Sequence, residues 1–295
     1  MNDALKDKSD VVIPFLFEKL PVRGALIQLQ HSWARMQLGN DYNHAVAEIL
    51  GQSAAATGLI AQSLKFKGKI TLQVNGDGPL SMLVMQSTEN LEMRGMISAP
   101  DIGDEFDYRT MVDGCRCAIT VDAGAMERPY QGIVEMLGDS LSQSLENYFA
   151  RSVQVQSHLM LVANHANCGG ILLQQMPEKG EPLEDDWRRL GLLAATLRTD
   201  DVSNGIGAML VGKLFAEDDV RVFQPRPVSF KCGCSRQRAE EVLRLLGEDD
   251  ARSACEEQGR IDVVCEYCGR QRSFDPVDIS RLFSCRSVSG SATVH

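Results

Sequence analysis

The 295 residues, 44% hydrophobic and 24% charged, have the balance of a folded, water-soluble protein with room for about two domains. A formal net charge of -10 argues against general affinity for phosphate backbones, and no run reaches the ~20 apolar residues of a membrane span. Nine cysteines follow an opening, "MNDALKDKSD", that lacks the basic-then-apolar order of a secretory signal, so the expectation is a cytoplasmic protein with reduced thiols, metal ligands or redox chemistry, not a disulfide-stapled secreted domain.

From about residue 10 to 177, strand-like runs alternate with a few helices. A helix is predicted over Asp41 to Leu64, where Val46, Ile49, Leu50, Ile60 and Leu64 recur near the helical period. A hairpin follows: Ile70 to Val74 and Leu80 to Met85 alternate around Asn75-Gly76-Asp77-Gly78-Pro79, a turn whose glycines can take positive φ. Further strands are expected at Cys117 to Val121, Tyr130 to Met136, His158 to Ala163 and Ile171 to Met176. Asp139 is placed to cap a helix carrying Leu141, Leu145, Tyr148 and Phe149 on one face. Antiparallel strands with helices packed on them make residues 1–177 an α+β domain of mixed sheet and helix.

After Pro177 the charged stretch "EKGEPLEDDW" reads as a boundary. Two helices are predicted behind it: Glu184 to Arg198, with Trp187, Leu190, Ala194 and Leu197 on one stripe, and Val202 to Phe215, before "QPRP" breaks the chain. Residues 178–229 thus form a helical linker. Residues 230–295 form a small C-terminal domain whose few apolar residues leave a marginal core without a staple.

That domain holds Cys232-Gly233-Cys234 and Cys265-Glu266-Tyr267-Cys268, two close pairs with 30 residues between them. Each short pair can supply two corners of a tetrahedron, so together Cys232, Cys234, Cys265 and Cys268 suit one zinc ion; four buried structural thiols are the plainer alternative. Ser235 is placed to cap a helix bearing Ala239, Val242, Leu245 and Leu246, which sets Cys234 at a helix N-terminus that favours its thiolate. Ile261 to Val264 and Arg270 to Phe274 read as strands around a Cys265–Cys268 knuckle, eased by Gly269, and Asp275-Pro276 opens a last helix with Ile279, Leu282 and Phe283. The metal has three possible uses: a static nucleic-acid ribbon, a docking module, or a redox switch in which oxidation removes ligands and melts the module. A thiol–disulfide oxidoreductase acting through Cys265 and Cys268 is a fourth reading, but four thiolates committed to metal leave no exposed nucleophile.

Other signals read as structural. Gly207 to Lys213 has phosphate-loop spacing, but Leu214 follows where Ser or Thr is needed and the enclosed AMLV is a helical apolar run, so no nucleotide is expected. Cys115 and Cys117 alternate along a strand, and Cys168, Cys255 and Cys285 stand singly, with no role assigned to any of the five. His31, His44, His158, His165 and His295 make no ligand or triad spacing and no G-x-S-x-G elbow occurs, so no enzyme is indicated. Arg270, Arg272, Arg281 and Arg286 are interleaved with Asp262, Glu266, Asp275 and Asp278, and residues 230–295 carry 10 basic against 11 acidic residues; a nucleic-acid surface is not expected.

"FKCGCSRQR" and "VCEYCGRQRSFD" resemble the bacterial heat-shock protein 33 family, the redox-regulated 33-kDa chaperonins. The likeness runs along nearly the whole chain: Val22-Arg23-Gly24, "GDGPL" at Gly76, Met93-Arg94-Gly95, "YQGIV" at Tyr130, "ENYFARS" at Glu146 and "GGILLQQMP" at Gly169. The chain departs at Val153, where the family usually has an acidic residue. The resemblance implies an ATP-independent holdase acting under oxidative and heat stress. In the reduced state Cys232, Cys234, Cys265 and Cys268 would hold one zinc per chain. Oxidation would pair Cys232 with Cys234 and Cys265 with Cys268 and eject the metal, unfolding the zinc module and linker. The uncovered apolar surface would bind unfolding proteins and promote a homodimer. Trp187, Leu190, Leu193 and Leu197 are the candidate client-binding residues, because exposed apolar area is what an unfolded chain recognises.

Overall fold

The structure, a computed structural model, describes residues 10–64, 66–99, 103, 107–122, 129–203 and 207–284. The chain divides into two compact units, Met1–Lys231 and Cys232–His295. The α+β class is the one the sequence predicts.

The first unit begins with β1 (Val11–Phe17), β2 (Val22–Leu29), α1 (His31–Gln37), α2 (His44–Ser63), β3 (Lys69–Asn75), β4 (Met82–Thr88) and β5 (Glu92–Ser98). It continues through α3 (Tyr108–Val112), β6 (Arg116–Asp122), β7 (Tyr130–Val134), α4 (Leu141–Tyr148), β8 (Ser157–Ala163) and β9 (Cys168–Gln175). Then come α5 (Glu184–Ala194), α6 (Thr199–Ser203), α7 (Gly207–Leu214) and three short strands, β10 (Val220–Val222), β11 (Arg226–Pro227) and β12 (Ser229–Phe230). One sheet has the order β10-β1-β2-β9-β8, with β11 also on β1; the other has the order β12-β5-β4-β3-β6-β7.

Between the sheets lies α2, which packs on β2, β8 and β9 of one and β3, β4 and β5 of the other. A helix covered on both sides is apolar nearly all round, and α2 buries Val46, Leu50, Ala54, Ala55, Leu59 and Ile60. Gly58 allows the closest approach, since a Cβ there would fall 2.3 Å from Ile27 Cδ1. The buried Asp10 carboxylate accepts from the amides of Gln30, His31 and Ser32 at 2.7, 3.0 and 2.5 Å, satisfying the donors at the start of α1.

The opposite face of the first sheet carries Ile13, Phe15, Phe17, Val22, Leu26, Val162, Ile171 and Leu173, all buried. Its cover consists of Leu190, Ala194 and Leu197 from α5 and the turn after it, Val202 from α6, and Leu210, Val211 and Phe215 from α7 and its end. The 187/190/194/197 stripe is therefore half of an interface whose other half is strands as far back in the chain as Ile13.

Several local expectations shift. The helix predicted from Asp41 starts at His44, capped by Asn43, whose side chain accepts from the Val46 amide. Neither Gly76 nor Gly78 has positive φ; glycine at 76 answers crowding instead, because a Cβ would meet Cys115 Sγ at 2.4 Å and Leu80 O at 2.9 Å. Ser140, not Asp139, caps α4 by accepting from Gln143 N, while Asp139 pairs with Arg109. The helix expected over Val202 to Phe215 is two helices. The first is set by the Asp201 carboxylate, which accepts from Arg198 N at 2.9 Å in the manner of a capping box; residues 204–206 lie outside the described residues.

The second unit comprises α8 (Arg236–Leu246), α9 (Glu248–Gln258), β13 (Ile261–Val264), β14 (Gln271–Phe274) and α10 (Pro276–Ser284). Its apolar core is small: Ala239, Leu243, Ala251, Cys255, Phe274, Ile279, Leu282 and Phe283. On α8 the inward positions are Ala239 and Leu243, four residues apart, whereas the expected Val242, Leu245 and Leu246 are exposed. Nothing in the sequence reading anticipates α9, whose inward stripe is only Ala251 and Cys255. Its acidic first turn, Glu248-Asp249-Asp250, was the available signal.

Candidate metal centre

Cys232 and Cys234 lie just ahead of α8, and Cys265 and Cys268 in the turn joining β13 to β14. Each pair is held by the local chemistry its neighbours dictate. Ser235 Oγ accepts from Arg238 N at 3.1 Å and fixes the first turn of α8 immediately after Cys234. In the knuckle, Cys265 O accepts from Cys268 N at 3.2 Å and Gly269 N at 2.8 Å, and Cys265 N donates to Arg270 O at 3.0 Å. Gly269 closes this turn at φ 64, a conformation with little strain only for glycine. Asp275 Oδ1 accepts from Asp278 N at 2.7 Å, so the Asp275-Pro276 start of α10 is as predicted.

The four sulfurs all lie within 4.8 Å of one another. The closest approaches cross between the pairs: 3.6 Å for Cys232–Cys265 and 3.5 Å for Cys234–Cys268. Those separations are far beyond an S–S bond of about 2.05 Å. They lie near the edge of about 3.8 Å expected for a tetrahedron with zinc–sulfur bonds of about 2.3 Å. All four thiols are free. Four soft thiol ligands at this spacing fit a zinc ion, and among the described residues this is the single group of three or more His, Cys, Asp or Glu so placed.

The site's electrostatics favour thiolate unevenly. Burial pushes the Cys232 thiol up to about 12, and burial likewise raises Cys268. At Cys234 burial acts in the same direction, but hydrogen bonds from Cys268, Cys232, Cys265 and Arg272 outweigh it and the thiol is shifted down. Its place at the helix N-terminus acts on Cys234 in the same downward direction.

Of the candidate client-binding residues, Leu190 and Leu197 are fully buried against the first sheet, and Trp187 and Leu193 are half-buried at its margin. Trp187 stacks on His158 of β8, ring centroids 4.2 Å apart, and His158 Nε2 is buried without a hydrogen-bond partner. Neither this latch nor the anchoring of Arg226 was foreseen. Arg226 donates to Gln62 Oε1 at 2.6 Å and to Glu89 O at 2.8 Å; a lone arginine between Pro225 and Pro227 was the clue available. Of the remaining cysteines, Cys117, Cys168 and Cys255 are buried and Cys115 is half-buried, and burial drives Cys117 up to about 12. Cys285 and His295 lie outside the described residues. The phosphate-loop lookalike is α7 itself, with Leu210 and Val211 turned into the core. Val153 is a partly exposed residue of the π-helical turn that follows α4. Among the described residues no helix is long and apolar enough to cross a membrane.

Comparison with known proteins agrees with this architecture along its length. The family model described as Hsp33 protein matches residues 10–275. A 33 kDa chaperonin of Nitrosococcus oceani is 40% identical over 270 residues, covering 92% of this chain and 93% of that protein. One of Methylobacillus flagellatus is 36% identical over 282 residues, covering 95% and 96%. The crystal structure of a 33 kDa chaperonin (heat shock protein 33 homolog) from Thermotoga maritima superposes with a TM-score of 0.73 over 94% of this chain and 99% of that one, at 20% identity, which establishes a shared fold. With a matching family model over most of its length and full-length relatives at this identity, the chain belongs to the Hsp33 family.

Proposed function

We propose that this chain is a redox-regulated, ATP-independent holdase, inactive while Cys232, Cys234, Cys265 and Cys268 hold zinc and active once they are oxidised. The observation that carries the proposal is the pairing of a four-thiol cluster with a module whose core, among the described residues, is a cluster of only eight buried residues. At such sites metal binding supplies roughly 10 to 16 kcal/mol that is also folding free energy. Bound zinc would act as a four-point cross-link, without redox chemistry of its own.

The thiols react in a balanced sequence. A thiolate attacks a peroxide oxygen, giving a sulfenic acid and releasing hydroxide; a second thiol then displaces water from the sulfenic sulfur, leaving a disulfide. Two such events consume two peroxides and four thiols per chain. The family likeness assigns the bonds Cys232–Cys234 and Cys265–Cys268. Chain statistics support that assignment after melting: the sulfurs closest across the folded site belong to residues 33 and 34 positions apart, so their encounter costs loop entropy that the short pairs avoid.

Loss of the centre removes the module's staple, and the segment ahead of Cys232 loses its fixed end. The helices over the first sheet then come away, and Leu190, Leu197, Phe215 and the face bearing Phe15, Phe17 and Ile171 become apolar surface for unfolding proteins and for a second copy of the chain. Binding is by burial, with no nucleotide and no chemical turnover.

The test is zinc content and free-thiol count before and after peroxide at raised temperature, measured beside light scattering from an aggregating client. The expectation is about one zinc per chain released with four thiols, and protection only afterwards. Equal protection by the zinc-loaded reduced form would sink the proposal.

A further inference from the structure

We propose that the segment Val220–Lys231 is a built-in occupant of two sheet edges, and that after its release β1 and β5 take an extended client segment by main-chain strand pairing. This deepens the holdase reading and rests on it.

The segment spans the edges of both sheets of the first unit. Antiparallel to β1, it matches Phe17 with Val220, Phe15 with Val222, Val12 with Arg226 and Val11 with Pro227. Phe223 N donates to Pro14 O, Glu18 N to Asp219 O and Val228 N to Asp10 O, each at 2.9 Å. It then turns parallel to β5, where Ser229 N donates to Leu91 O at 3.1 Å and Lys231 N to Met93 O at 2.9 Å. Leu91 adopts φ 58, a backbone conformation that bulky residues rarely take, with its side chain buried and its carbonyl on the strap.

The occupant is a poor strand. Pro225 and Pro227 have no amide to donate, and beyond the Phe223 N–Pro14 O bond the pairing with β1 lapses until Arg226. Side-chain contacts add to these main-chain bonds: Arg226 on Gln62 and Glu89, and Lys231 on Glu92 at 2.6 Å. The edges beneath are well supported, since β1 pairs with β2 over six residues and β5 with β4 over six. Removing the strap therefore leaves two sound templates with unpaired groups, one short of a donor at Pro14. An unfolded polypeptide differs from a folded one in offering unpaired main chain, and strand addition recognises that with little demand on sequence. The strap also ends at Lys231, directly before Cys232, so melting the thiol module frees its end.

The test uses the full chain, peroxide-oxidised, with two synthetic peptides of one alternating Val/Thr sequence flanked by lysines. One has a free backbone; the other is N-methylated at four consecutive amides so that the peptide can donate no main-chain hydrogen bond there, to β1 or to β5. Fluorescence anisotropy is expected to show at least tenfold tighter binding of the free-backbone peptide. Hydrogen exchange is expected to show Glu18 and its strap-facing neighbours on β1 losing protection on oxidation and regaining it with that peptide. Equal affinities, or no binding of either peptide, would overturn edge pairing. Protected β1 amides in a peptide-free dimer would overturn it too, by making the strap of a second copy the occupant. Aggregation suppression by the same sample judges the holdase reading separately: a sample that protects clients yet binds both peptides alike fails only the edge proposal.

Discussion

Replacing Phe215 by Ala should open the helical cover without any oxidant. Phe215 is 1% exposed, and its ring lies 5.7 Å from that of Phe15 and 5.1 Å from that of Phe17. Truncating a buried Phe costs about 3–5 kcal/mol, of which each aromatic pair accounts for roughly 0.5–1.5. A loss of about 4 kcal/mol shifts the docking equilibrium roughly a thousandfold toward the open state. The loss falls on the cover and spares the sheet, because the sheet's other face stays packed on α2 through Val12, Ala25, Ile27 and Leu172. Hydrogen exchange on the reduced, zinc-loaded F215A protein should show protection in α5 and α7 falling by about two to three orders of magnitude. The same sample should suppress client aggregation before any peroxide is added. Leu245→Ala, at an 88% exposed position, is the control and should change stability by less than about 0.5 kcal/mol. If F215A lowers the melting temperature while α5 and α7 stay protected and reduced protein gives no protection to clients, the reasoning that these helices mask the client surface is refuted.

Cys234→Ser and Cys268→Ser should each reduce bound zinc well below one per chain and abolish protection from exchange across residues 236–284; retained metal with a folded module would contradict the four-thiol centre. Arg226→Ala removes two hydrogen bonds from a guanidinium and should loosen residues 226–231 by about 1–3 kcal/mol, read as faster exchange there with the thiols still reduced. Acid should favour the open linker: burial holds the His158 imidazole below its ordinary value of 6.5, partly offset by a hydrogen bond with the Trp187 main chain. The closed state thus excludes the proton, is fully favoured above about 6.5, loses ground as pH falls through that value and levels off below the depressed one. Exposed Glu184 and Arg188 share the α5 side of Trp187 and Gly191, and β8 and β9 carry no other charged side chain. His158→Gln should flatten the profile, and an unchanged profile would remove His158 as its source. Gly191→Ala should also open the linker: helix propensity gains roughly 1 kcal/mol, but a Cβ there would lie 2.7 Å from His158 Nε2, and such overpacking costs about 1–3 kcal/mol. Slower exchange in α5 of that variant would show that propensity prevails.

The clustering of the four thiols was legible in the sequence because its parts are local. A two-residue chelate bite, a serine cap, a glycine that closes a knuckle and an Asp-Pro helix start are each decided within about five residues, and Ser235, Gly269 and Asp275 sit as their neighbours require. The amphipathic stripe of α5 was legible for the same reason, its burial following from one period. What the stripe covers was not legible, since Phe15 and Ile171 reach it only through the sheet order β10-β1-β2-β9-β8. The inward side of α8 was only partly legible because two apolar stripes run along it, and packing against α9 and α10 chose Ala239 with Leu243 in place of Val242, Leu245 and Leu246. The strap over β1 and β5 left in the sequence only its prolines and Arg226, because strand pairing depends on partners more than a hundred residues away. Sequence thus determined the four-thiol cluster, through close pairs and turns that need no distant partner. Tertiary structure alone decided what the helical stripe and the strap cover, because burial and edge pairing belong to surfaces that exist only after distant segments meet.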